Sequence, residues 1–65
     1  MKNWLRFANS LIRITQIEMV MLQENSVVVD HLLFDHQMSS KEVFEDKKTA
    51  EHRFNDITIF LGHTE

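Results

Sequence analysis

The sequence predicts an all-α fold, a small three-helix bundle that associates into a dimer. Three observations carry that expectation. Two long segments place apolar residues at helical spacing, a capping box precedes the second of them, and the 65 residues contain no proline and one glycine, Gly62. A chain with so few turn-forming residues has few obvious places to reverse, which favours a small number of long elements.

The first element is expected as a helix over about 3–23. Lys2, Arg6, Asn9, Arg13, Gln16 and Gln23 form a polar stripe at helical spacing, broken by Val20, and the remaining positions are mostly apolar. Asn3 is a candidate cap, and Glu24-Asn25-Ser26 reads as a stop because Asn tolerates a left-handed turn. The middle segment, Ser26 to Gln37, reads two ways. Val27-Val28-Val29 favours a strand, since β-branched side chains lose rotamer freedom in a helix. Val27, His31 and Phe34 also fit a helical spacing, and the helix is preferred. The alternative, α-β-α-β with 57–61 as the second strand, needs a dimer to widen its sheet.

The last element is expected as a helix over about 40–61. Ser39 and Glu42 have the spacing of a capping box, with Met38 and Val43 placed as a hydrophobic staple. Val43, Ala50, Phe54, Ile57 and Leu61 recur at three, four and seven residues, and Gly62 stands where a helix C-cap belongs.

One domain spans residues 1–65. A chain this short buries only about 60 % of its unfolded surface, so small folds usually add a disulfide, a metal or a partner. Cysteine is absent, which excludes disulfides and thiolate metal sites and leaves a partner chain as the default. The net charge is −3 and is unevenly spread. Residues 1–17 carry Lys2, Arg6 and Arg13 and no acid, while all ten acids lie beyond them. An acidic body disfavours nucleic acid, whose binding depends on neutralising phosphates. The most apolar stretch, Trp4 to Leu22, is interrupted by Arg6, Arg13 and Glu18, so neither a membrane span nor a secretory leader is expected and the location is read as cytoplasmic.

The first segment carries the candidate protein interface. As a helix, Trp4, Leu11 and Glu18 would recur every seven residues beside Phe7, Ile14 and Met21, a seam of the kind that packs helix on helix. A second seam, Leu5, Ile12 and Met19 beside Ala8, Thr15 and Leu22, would serve the intramolecular core, and Val27 to Phe34 is the next candidate interface. Glu18 inside the first seam reads as a rim residue with its carboxylate in water, or alternatively as one that sets register by pairing with a cation such as Arg53.

Catalytic, cofactor-binding and metal-binding residues are not recognised. Ser39 and Ser40 read as caps, and no glycine-rich phosphate loop is present. The expected function is therefore that of a small acidic, non-catalytic regulator, adaptor or inhibitor that binds another protein stoichiometrically, with a homodimer expected. Two alternatives follow from particular residues. A basic amphipathic first helix with Trp4 and Phe7 would suit a membrane surface. His31, Asp35 and His36 would suit a metal- or pH-responsive switch.

Overall fold

Residues 3–62, the part of the chain that the computed structural model describes, form five strands and a single helix. Strands β1 (Trp4–Phe7) and β2 (Ser10–Arg13) pair as an antiparallel hairpin. A short 3-10 turn, Ile14–Gln16, leads into β3 (Ile17–Gln23), β4 (Ser26–Leu33) and β5 (His36–Val43), an antiparallel meander in that spatial order. Helix α1 (Lys47–Gly62) closes the described chain. This overturns the all-α three-helix bundle. The α-β-α-β alternative is nearer in containing strands, although its strand-helix order is also not the one found.

The first expected helix is absent: its residues form β1, β2, the 3-10 turn and β3, and β1 shows a two-residue period. Leu5 and Phe7 are buried while Trp4 and Arg6 face outwards, the alternation of a half-buried strand. The valine run behaves as the β-branched reading of it requires. Val27 and Val29 are fully buried on the inner face of β4, and Val28 is covered on the outer face between Met21 and Lys41.

Three reversals make this possible, and none uses glycine. Ala8-Asn9, Glu24-Asn25 and Phe34-Asp35 each join two strands as a two-residue loop. Ala8, Asn9, Glu24, Phe34 and Asp35 all have positive φ, between 51° and 68°. Tight hairpins need that left-handed backbone to match the twist of their strands. Asn and Asp tolerate it, whereas Ala, Glu and Phe adopt it against their own preference.

Helix α1 is the helix expected at the end of the chain, but it begins at Lys47 rather than near residue 40. Its cap is Asp46, whose Oδ1 accepts the Thr49 N–H at 2.8 Å. Ser39 is not a cap. It lies in β5 and donates its hydroxyl to Asp30 Oδ1 on β4 at 2.6 Å. Of the five residues whose spacing indicated the inward face, Val43 lies exposed in β5, whereas the other four are on α1, Ala50 and Ile57 buried with Phe54 and Leu61 packed beside them. These meet Val27 and Val29 from the meander and Leu5, Phe7 and Ile12 from the hairpin in one core.

A polar clamp holds hairpin, meander and helix together. Glu42 on β5 accepts the Ala8 N–H through Oε2 at 2.9 Å and Arg53 Nε through Oε1 at 2.9 Å. Arg53 Nη2 donates to the Arg6 carbonyl at 2.6 Å, and its guanidinium lies 5.5 Å from the centre of the Phe7 ring. Arg53 therefore pairs with Glu42, not with Glu18. Asn25 and Phe44 add a second tie, exchanging a backbone bond and a side-chain bond at 2.8 Å each.

Candidate functional site: an apolar groove

With the core closed, several large apolar side chains remain outside it. Trp4, Leu11, Leu33, Phe34 and Met38 are all exposed, Leu11 by 65 % and Phe34 by 87 %. These five are not scattered. They line a single open groove of about 670 Å³, lying between the β1-β2 hairpin and the β4-β5 end of the meander. Isolated exposed apolar residues are ordinary on a protein surface, but a contiguous patch with a polar rim marks an interaction site.

Each wall has a structural cause. Side chains on β2 and β4 alternate, so His31 and Leu33 share the inner face of β4 with Met38 and Ser40 opposite on β5. Leu33, Phe34 and Met38 at this end of the meander stay exposed. On the hairpin, Trp4 and Arg13 are directly opposed, and the Arg13 guanidinium lies 5.0 Å from the Trp4 ring centre. That contact holds a cation over an aromatic face at the groove wall. At the tip, Phe34 stands exposed on a left-handed backbone (φ 52°).

The deeper polar residues of the groove are paired with one another. His31 is buried, and its Nε2 lies 2.9 Å from Ser40 Oγ. An imidazole beside a hydroxyl has the elements of a base and a nucleophile, but catalysis also needs a group that orients the ring and donors for a developing oxyanion. Asp30, adjacent in sequence, points to the opposite face and accepts from Ser39. The pair satisfies the buried imidazole of His31 with the half-buried hydroxyl of Ser40.

The residues singled out from the sequence separate in the structure. Trp4 and Leu11 meet in the groove. Phe7 is fully buried in the core, Ile14 is half-buried in the 3-10 turn, and Met21 is half-buried on the outer face of β3. Glu18 is exposed at a β-bulge, the irregularity between Ile17 and Met19, where the extra residue of a bulge is left unpaired. The helical seam that linked these six residues does not exist, and the same correction removes the amphipathic helix proposed for a membrane surface. Leu33 and Phe34 belong to the second candidate segment. Arg13 and Met38 were missed as groove residues, because only the pairing of β2 with β1 and β5 with β4 brings them there.

His31, Asp35 and His36 do not converge. His31 is buried against Ser40, whereas Asp35 sits in the turn and His36 opens β5, both exposed. Among the described residues no group of three or more His, Cys, Asp or Glu side chains is placed to hold a metal ion. No described helix is long and apolar enough to cross a membrane. Comparison with known protein families, curated proteins and solved structures finds no match to this chain.

Proposed function

We propose that this chain is a small non-catalytic protein-binding module, a regulator, adaptor or inhibitor that acts stoichiometrically by holding a segment of another protein in the groove, in a cytoplasmic setting. One observation carries the reading: Trp4, Leu11, Leu33, Phe34 and Met38, drawn from both ends of the β region, are left exposed together around one concavity. Keeping them in water is unfavourable by roughly 25 cal/mol per Å² of apolar surface, and a partner that covers them recovers that term. Aromatic anchors in a concave site are the usual centre of a protein interface.

A homodimer is the second reading. It is favoured by β2, which pairs only with β1 among the described strands, so two hairpins could join edge to edge.

Panning a random peptide display library against the intact chain tests the proposal, with Leu11→Asp/Met38→Asp as the groove-blocked control. Both substituted side chains are exposed, so the variant is expected to fold. Enrichment that depends on an open groove supports protein binding. No enrichment, or equal enrichment on the control, refutes it.

A further inference from the structure

The groove has a wall of unpaired backbone as well as apolar side chains. Four consecutive residues of β2, Ser10 to Arg13, line it. Side chains alternate across a strand, so a wall made of one strand face would show every second residue. A run of four shows that β2 meets the groove with its edge. The pairing pattern identifies which groups that edge offers. A two-residue loop makes Phe7 and Ser10 a hydrogen-bonded pair, and the alternation then makes Leu5 and Ile12 another. The Ile14 N–H bond to the Asn3 carbonyl at 3.0 Å continues that alternation. Leu11 and Arg13 therefore turn their backbone N–H groups away from β1, towards an edge with which no other described strand pairs.

Charge at this edge is also one-sided. The outward face of the hairpin carries Trp4, Arg6, Leu11 and Arg13. The single ion pair among the described residues is Arg53 with Glu42, which leaves Arg6 and Arg13 without a carboxylate. Arg13 is preorganised over Trp4. Asp35, in the β4-β5 turn, is the one carboxylate among the residues that line the groove.

Resting on the protein-binding reading above, we propose that the groove accepts an extended partner segment by strand addition to β2, and that this segment alternates apolar and acidic side chains. Its backbone pairs with Leu11 and Arg13. Its apolar side chains point inwards over Leu33 and Met38, and its carboxylates point outwards to Arg13. The two-residue period of a strand is what separates the two chemistries onto opposite sides.

Nuclear magnetic resonance of the isotope-labelled intact chain tests this with peptides of about eight residues, a common strand length. The probe alternates valine and glutamate. The controls are the same length with lysine for glutamate, and the glutamate peptide with N-methylated backbone amides. Saturable shifts at the Leu11 and Arg13 amides and the Trp4 indole are expected with the glutamate peptide, and not with either control. Arg13→Gln should weaken binding by about tenfold, the equivalent of one charge-assisted hydrogen bond, while leaving amide dispersion unchanged. Equal binding of the lysine or N-methylated peptide, or shifts confined to other surfaces, would overturn the proposal. Concentration-dependent shifts at Leu11 and Arg13 without peptide would overturn it in favour of a second copy at β2, and displacement of the peptide by a short oligothymidylate at equal concentration would do so in favour of nucleic acid. If display selection yields groove-dependent peptides while the glutamate probe fails, the strand-addition model falls and the protein-binding reading stands.

Discussion

Replacing Phe34 by Asn should stabilise the fold while weakening the groove. Phe34 holds φ at 52°, in the left-handed region where an L-residue other than Gly, Asn or Asp is disfavoured by about 1–2 kcal/mol. Asn occupies that region readily, so most of that cost is relieved. The loss on the other side is small. Phe34 is 87 % exposed, and full burial of such a side chain is worth about 1.5–3 kcal/mol, so the covered eighth contributes roughly 0.2–0.4 kcal/mol. The net gain is about 0.5–1.5 kcal/mol, or a rise in Tm of several degrees for a domain of this size. Thermal and urea denaturation followed by circular dichroism measure it. The same variant should capture display-selected peptides more weakly, because it removes an aromatic wall from the groove. A lower Tm would refute the reasoning, showing that Phe34 contributes packing that outweighs its backbone strain. Higher stability with undiminished capture would remove Phe34 from the site.

Further expectations concern the clamp, the helix cap and association. Glu42→Ala leaves the Ala8 N–H and the Arg53 guanidinium without their shared acceptor and should cost about 2–3 kcal/mol by urea denaturation; a loss below about 0.5 kcal/mol would show that the clamp is merely a surface contact. Asp46→Ala should lower the thermal midpoint at neutral pH, whereas Ser39→Ala, which removes an exposed cross-strand bond, should leave it nearly unchanged. Hydrogen bonds from the Thr49 backbone and then its side chain hold the Asp46 carboxyl below its ordinary value of 3.8. Its folded form is favoured when ionised, so the advantage of wild type over Asp46→Ala is present above 3.8 and disappears as pH falls through the lowered value. A pH-independent difference would contradict this assignment. Light scattering over a concentration series tests the homodimer, which should fall apart in Leu11→Asp; a monomer at every concentration of wild type would eliminate it.

The sequence by itself determined the last helix and the chemistry of its buried face. Ala50, Phe54, Ile57 and Leu61 lie within one continuous segment, and their spacing is a local property that packing needed only to accept. It also showed an excess of apolar surface and an acid-free first segment, the two ingredients of the groove. The first helix is not formed although the polar stripe from Arg6 to Gln23 fits a helical period, because the turns around it carry only a weak signal: one Asn or Asp each, Asn9, Asn25 and Asp35, beside a residue with no turn preference. Ala8, Glu24 and Phe34 carry no preference for positive φ, so no Asn-Gly or Asp-Gly signal marks the hairpins. Their conformation is imposed by the strands on either side, whose cross-strand pairing and shared core outweigh the local cost. The capping box failed for a related reason: Ser39 and Glu42 found better partners in Asp30, Ala8 and Arg53, all distant in sequence. Only the tertiary structure could bring Trp4 and Arg13 beside Leu33 and Met38, because strand register decides which residues share a face and a shift of one residue reverses every choice.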